Sequence, residues 1–387
     1  MSRMDEIKAN EGIRIAKDPF SPHVGGGSGL AYTNGFPLSI EGSAPAIFQA
    51  KASQDLFNRP QSWAVAQAKE SARGAGLAAG EKRDDIVYRV ATLFVDVERA
   101  GRLAESVAKE VESLRKVYST VEARVELGRE LPVAKNEANV NVLRARQRLL
   151  TLQSDREYAE HNMAAVLGFN AADTVEPVSE ERSPFAIPES EEAALKAAFE
   201  ASKELKRLES NYQGKVLEVK GDKAQRLPRV DLVAQYALLS QYSHYDQYFL
   251  RFQRNNGEVG ASIQIPFLTG PGVKAQISQA EADQQRIRAE IMAARNRIAL
   301  DVHQGFQDLA KASIASELAK AEVDLAHEQL SVLLAQMNEG RASLRQIEDA
   351  RSNEDEKWVA FYDAQFNDVK ARLSILRQTG ELMSALR

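Results

Sequence analysis

Proline stops at position 271. The 116 residues from Gly272 to Arg387 contain none, and shorter Pro-free runs cover 61–131 and 133–176. A proline inside a helix removes a backbone hydrogen bond and clashes with the preceding turn, so runs of this length leave room for very long helices. They are rich in Ala, Leu, Glu, Gln, Arg and Lys, the strong helix formers. Their apolar residues recur every three or four positions: Ile277, Ala280, Ile287, Ile291, Ala294 and Ile298, then Val302, Phe306, Leu309, Leu318, Ala321 and Leu325. That is a seam for helix-on-helix packing. Read as one helix, 273–339 would be about 100 Å long at 1.5 Å per residue, which excludes a compact globular fold.

The chain resembles itself at an offset of 212 residues. Gly128 falls on Gly340, Gly168 on Gly380, Ile86 on Ile298, Val90 on Val302, Phe94 on Phe306, Asp96 on Asp308 and Ala138 on Ala350, with 17 of 83 positions identical between 86 and 168. Average composition gives roughly one identity in 15 by chance. Each copy reads as a long helix, a Gly-Arg break (Gly128-Arg129, Gly340-Arg341) and a second helix ending at Gly, which is a helical hairpin. Pro132 stands at the start of a returning helix, where proline is tolerated.

Upstream of each helical pair lies a segment of period two. Glu258, Gly260, Ser262 and Gln264 alternate with Val259, Ala261, Ile263 and Ile265; Gln49, Lys51, Ser53 and Asp55 alternate with Phe48, Ala50, Ala52 and Leu56. Strict alternation predicts strands with one polar and one apolar face. Partner strands are expected at Arg229–Leu239, with Val230, Leu232, Ala234, Tyr236 and Leu238 on one side, and more weakly at Val24–Leu38. An aromatic loop follows (Tyr242, Tyr245, Tyr248, Phe249, Phe252). Strands of about 10 residues are long enough to cross a bilayer when tilted, and an open sheet edge is not tolerated in lipid. The four strands therefore either bury against something else or close with strands of other copies.

Composition removes other classes. With no Cys, disulfides, thiolate metal sites and a Cys nucleophile are excluded. A net charge of −5 makes nucleic acid a poor partner. The five His are scattered, without metal-ligand spacing. Gly25–Gly29 lacks the Lys-Ser/Thr of a phosphate loop, and Gly270-Pro271-Gly272-Val273-Lys274 has the wrong spacing. No enzyme, cofactor or metal site is expected. A soluble or periplasmic coiled-coil scaffold remains as one reading, but a scaffold has no use for bilayer-length amphipathic strands.

The order hairpin, helical pair, connector, hairpin, helical pair resembles the TolC-like outer-membrane efflux proteins. Gln264-Ile-Pro-Phe-Leu-Thr-Gly-Pro-Gly272 is similar to that family's strand-end turn, with Gln54–Pro60 as its first-copy counterpart, and Leu227-Pro228-Arg229-Val230 to its strand entry. The resemblance spans about residues 4–380. It implies a mainly α fold with a small β part: a homotrimer whose long helical hairpins form a periplasmic tunnel and whose four strands per chain share one outer-membrane β-barrel. The first repeat would be 1–168 (hairpin about 24–57, helical pair about 61–168), the connector 169–190, and the second repeat 191–387 (entry helix about 191–226, hairpin about 229–267, helical pair about 272–380).

The same resemblance implies roles for residues. The strand positions Gln49, Lys51, Ser53, Glu258, Ser262 and Gln264 would face the lumen. In the family, residues after the second inter-helix Gly constrict the periplasmic end; here they read Arg341, Arg345, Gln346, Glu348 and Asp349. Asp349 matches one family carboxylate, while Gln346 stands where another is usual. Arg341 and Arg345 would pair across subunits. The tips Gly128-Arg129 and Gly340-Arg341 would meet a periplasmic adaptor that links the tube to an inner-membrane pump. The N-terminus carries no export signal, and the first entry helix reads as shorter than the second by roughly 15–20 residues when the two are taken as equal; the expectation is that the sequence begins inside that helix.

Overall fold

The structure is a computed structural model that describes residues 2–29, 46–170, 172–178, 185–239, 253, 255–268, 270–339 and 341–386. The aromatic loop around Tyr242–Phe252, His244, Gly340 and the distal part of the first hairpin (30–45) lie outside these residues. The order of elements is α1 (Ser2–Lys17), a 3-10 turn (Asp18–Phe20), β1 (His23–Gly29), β2 (Ala46–Phe57), α2 (Arg59–Glu126), α3 (Pro132–Leu167), α4 (Glu191–Ala201), α5 (Lys203–Ala224), β3 (Arg229–Leu239), β4 (Asn255–Gln264), α6 (Pro271–Asn338), α7 (Leu344–Thr379) and α8 (Leu382–Ala385). The fold is mostly helical, with one small sheet.

The long Pro-free runs are helices from end to end. α2 and α6 each have 68 residues and α3 and α7 each have 36. Three glycines with positive φ, Gly128, Gly168 and Gly380, stand at helix ends. At Gly128 the amide bonds to Val125 O (3.0 Å) and the Arg129 amide to Arg124 O (2.9 Å), which closes the last turn of α2. Leu131, extended at ψ 147°, precedes Pro132 at the start of α3, as the residue before a proline prefers.

The expected single entry helix over 191–226 is two helices. The Ser202 backbone leaves helical geometry at φ −55°, ψ 110°, between α4 and α5. Nothing in the sequence marks the bend with Gly or Pro. The short helix α8 was also not expected; it tucks Leu382 into a core.

The chain divides into two compact units, Met1–Glu81 with Lys203–Ala294, and Lys82–Ser202 with Arg295–Arg387. The first holds the sheet and a group of helices. α1 meets α2 where Gln61 donates to Ala16 O (2.7 Å). α2 meets α5 where Ser210 Oγ donates to Glu70 O (2.7 Å) and Gln67 bonds Glu218 (2.8 Å). α5 meets α6 through Lys215–Asp283 (3.0 Å) and Lys223–Glu281 (3.2 Å).

The second unit packs its helices side by side in the order α3, α2, α7, α6. Val107 and Val111 of α2 meet Ala145 of α3. Ala91 and Val95 of α2 meet Phe366, Leu373 and Leu376 of α7, and Phe185 and Ile187 of the connector join this cluster. Arg99–Asp363 (2.6 Å), Arg377–Asp85 (2.7 Å) and Lys370–Asp96 link the same two helices. α7 lies against α6 where Gly305 leaves space for Gln378 and Ile375, and Lys357 bonds Glu322 (2.9 Å). α4 packs Ala194 and Ala198 on Val302 of α6.

Candidate functional site

The sheet is antiparallel in the order β1-β2-β3-β4, so β1 and β4 are its edges. β2 and β3 belong to different halves of the chain and pair over their whole length, from Ala46↔Leu239 to Phe57↔Val230. Directly opposed residues of an antiparallel pair share a face, so the register sorts the side chains. One row runs Lys51, Gln235, Glu258, the next Ser53, Val233, Gly260, and a third Asp55, Asp231, Ser262. Gln49 lies opposite Ala237, Arg229 opposite Gln264, and His23 opposite Ser53.

All six ionisable residues of the described strands (His23, Lys51, Asp55, Arg229, Asp231 and Glu258) therefore lie on one face. The six positions expected from the sequence (Gln49, Lys51, Ser53, Glu258, Ser262, Gln264) share it. Arg229, Asp231 and Gln235 also belong to it; the alternation of β3 itself carried that signal. The opposite face holds Val24, Phe48, Ala50, Ala52, Val230, Leu232, Ala234, Tyr236, Val259, Ala261 and Ile263. No helix covers it: Val259 is 79% exposed and Ile263 64%. Past β4, Phe267 and Leu268 are almost fully exposed.

At the helical tips the expected gate residues separate into different roles. Gln346 closes a capping box with Ser343. Its Oε1 accepts from the Ser343 amide (2.8 Å), and its own amide donates to Ser343 Oγ (3.4 Å). This geometry stabilises the start of α7 and occupies the Gln346 side chain. Arg341 and Arg345 are exposed and each has a partner within the chain, Glu339 at 3.3 Å and Glu137 at 3.8 Å. Asp349 is exposed, whereas Glu348 is half-buried and its Oε1 accepts no hydrogen bond. Burial raises the Glu348 pKa above its ordinary value, and neighbouring Asp349 adds to the effect. At the α2–α3 tip, Leu127, Leu131 and Val133 are exposed around Gly128.

The described histidines each have a partner: Asp18 for His23, the Asp173 carbonyl for His161, Glu191 for His303 and Glu354 for His327. No group of three or more metal-ligating side chains occurs among the described residues, and no described helix is long and apolar enough to cross a membrane.

The profile of the family described as Outer membrane efflux protein matches residues 2–169. The outer membrane efflux protein BepC of Brucella suis is 20% identical over 378 residues, 96% of this chain and 80% of that protein. Residues 2–169 are thus similar in sequence to the outer membrane efflux proteins. Solved structures of this class share its fold. The outer membrane protein VceC of Vibrio cholerae superposes with a TM-score of 0.78 at 16% identity, covering 98% of this chain and 92% of that one. The CmeC outer membrane channel of Campylobacter jejuni gives 0.79 at 12% identity, covering 98% and 82%. Among the described residues the sheet has two edges, β1 and β4.

Proposed function

We propose that the protein is the outer-membrane channel of a tripartite efflux or secretion assembly, working as a homotrimer. The observation that carries this reading is the sorting of the sheet: every ionisable strand side chain on one face, an uncovered apolar face opposite, and unpaired edges at β1 and β4. Such a sheet has no stable place in water or, while open, in lipid. Closure of three copies edge to edge gives a twelve-stranded barrel with the apolar face to lipid and the polar face to a water-filled lumen.

The helices support the same assembly. In the second unit the outer helices are α3 and α6, and both carry exposed apolar residues at heptad-like spacing. On α3 these are Val133, Val140, Leu143 and Leu150; on α6 they are Ile314, Leu318, Leu325 and Val332. An uncovered seam on each edge suits a head-to-tail ring, α3 of one copy against α6 of the next. The exposed Leu127-Gly128…Leu131 tip offers the surface for a periplasmic adaptor and, through it, a pump. Transport through such a tube requires no covalent chemistry. Selectivity comes from charges around the lumen, and closure from the tips, where three-fold symmetry would repeat Glu348 and Asp349 as rings.

The absence of cysteine makes the test clean. Gly25→Cys on β1 is combined in turn with Glu258→Cys, Gly260→Cys or Ser262→Cys on β4, and the outer-membrane fraction is oxidised. A covalent trimer in at least one pairing is expected. Monomers in every pairing, or a chain recovered only in the soluble fraction, would overturn the reading.

A further inference from the structure

Three helix–strand junctions lie at one end of the sheet. β2 ends at Phe57 and α2 starts at Arg59; α5 ends at Ala224 and β3 starts at Arg229; β4 ends at Gln264 and α6 starts at Pro271. Phe57 lies opposite Val230 and Arg229 opposite Gln264, so the junctions stand side by side. Trp63, one of two tryptophans in the chain, is one helical turn past Arg59, about 6 Å along α2. Two cations stand over its ring. Arg59 Cζ is 5.6 Å from the ring centre and Lys220 Nζ of α5 is 5.2 Å from it. Gly221, beside Lys220, allows the approach, since a Cβ there would already touch the Trp63 Cβ at 3.4 Å.

An indole face attracts a cation, so both side chains are ordered before any ligand arrives and less entropy is lost on binding. Their charge is not balanced. Among the described residues no carboxylate pairs with Arg59, with Lys220 or with Arg226 just before β3, and all three are exposed. Carboxylates of the same region bond elsewhere: Asp55 with Asn58 (2.7 Å), Asp222 with Gln225 (3.1 Å) and Glu281 with Lys223 (3.2 Å). The junctions are also apolar. Leu56, Phe57, Leu227, Ile265, Phe267 and Leu268 are exposed, and the last three follow in sequence the uncovered apolar residues of β4. Uncompensated cations around an indole, edged by exposed apolar side chains, are the chemistry of a bilayer interface. The apolar groups meet acyl chains, the indole takes the boundary, and the cations meet anionic phosphate.

We propose that Arg59, Trp63 and Lys220 form a binding site for an anionic phospholipid at the helix-side end of the sheet. The phosphate sits on the two cations and the acyl chains run along the exposed apolar residues. Arg59 offers a planar fork that can bond two phosphate oxygens, and Lys220 a point charge. Arg226 adds attraction without a direct bond. Because Arg59 belongs to α2 and Lys220 to α5, one bound head group ties these two helices together where they meet the strands. The site rests on the outer-membrane reading and adds to it a preference for anionic over zwitterionic lipid.

The test is tryptophan fluorescence of the full-length protein in vesicles. Trp358→Phe leaves Trp63 as the only indole. The vesicles contain phosphatidylglycerol or phosphatidylcholine with brominated acyl chains, which quench an indole in contact with the lipid, and mixtures of the two give the relative affinity. Trp63 is expected to be quenched, with a severalfold preference for phosphatidylglycerol. Arg59→Gln with Lys220→Gln should bring the two lipids level. No quenching in a protein that floats with the vesicles overturns the lipid site and leaves the channel reading standing. Equal affinity for the two lipids, or a preference that survives both substitutions, does the same. A protein that does not float with vesicles overturns the channel reading and the site with it. Replacing chloride by inorganic phosphate at constant ionic strength separates lipid from free ion. The preference should persist, and its loss overturns the lipid site in favour of a phosphate-ion site. If Trp358→Phe fails to assemble, the two-tryptophan protein with and without the Arg59 and Lys220 substitutions reads the preference as a difference, and no difference overturns the proposal.

Discussion

Asp55 of β2 and Asp231 of β3 are direct partners across the central strand pair, on the polar face of the sheet. Like charges in this position oppose each other at a cost of roughly 0.2–1 kcal/mol. Asn58 Nδ2 donates to Asp55 Oδ2 at 2.7 Å, which steadies one carboxylate of the two. In the proposed trimer the pair would repeat three times around the lumen and draw cations. Asp231→Asn is expected to reduce cation selectivity, read as a smaller reversal potential under a salt gradient. It should raise the melting temperature slightly, because the repulsion is relieved. An unchanged reversal potential would place the pair outside the conducting path.

Two glycines at helix ends separate backbone strain from crowding. Gly128 and Gly380 both have positive φ, at 67° and 74°. A Cβ at Gly128 meets nothing within 4 Å, whereas one at Gly380 would lie 2.5 Å from the Ala201 Cβ. Gly128→Ala therefore bears only the left-handed conformation, about 1–2 kcal/mol. Gly380→Ala adds an overpacking cost of about 1–3 kcal/mol. Thermal melts followed by helical circular dichroism should show the larger loss at Gly380. Equal losses would mean that Ala201 yields freely.

These elements differ in how far the sequence disclosed them. The long helices and their glycine stops were readable because helix signals are local: the absence of Pro, the apolar spacing, a Gly at the end. The polar strand face was half readable. Alternation in β2 and β4 named Lys51 and Glu258, but that both share a row with Gln235 depends on pairing between segments far apart in the chain. Gln346 was read only against the family's constriction pattern, although Ser343-Leu-Arg-Gln346 is itself a capping-box signature. The group around Trp63 carried little signal. Arg59 and Trp63 are one turn apart in sequence, but Lys220 reaches the indole only because α5 packs on α2.

The exposed seams predict how the proposed trimer is lost. Leu318 and Leu325 of α6 are 60% and 55% exposed, seven residues apart on one helix face. Glu at both positions would put charge into a helix–helix seam while leaving the contacts of α6 with α7 intact. Leu318→Glu with Leu325→Glu should abolish trimers on native gels and in light scattering. Helical content of the monomer should fall little. Retention of the trimer would show that α6 faces lumen or solvent.

Glu348 provides a pH test at the tip. Burial first, then Asp349 and Glu130, raise its pKa above the ordinary 4.5, against Arg124 and Arg351. The folded state thus binds more protons than the unfolded one between the ordinary value and the raised one. Stability from this group rises as pH falls through that window and is lost as pH climbs above the folded pKa. Glu348→Gln removes the charge that burial disfavours. It should raise the urea midpoint at neutral pH and flatten its pH dependence in the acid range. Asp349→Asn should do the same more weakly, because it removes only one of the causes. A lower midpoint for Glu348→Gln at neutral pH would mean that the carboxylate is held by Arg124 or Arg351 strongly enough to outweigh its burial.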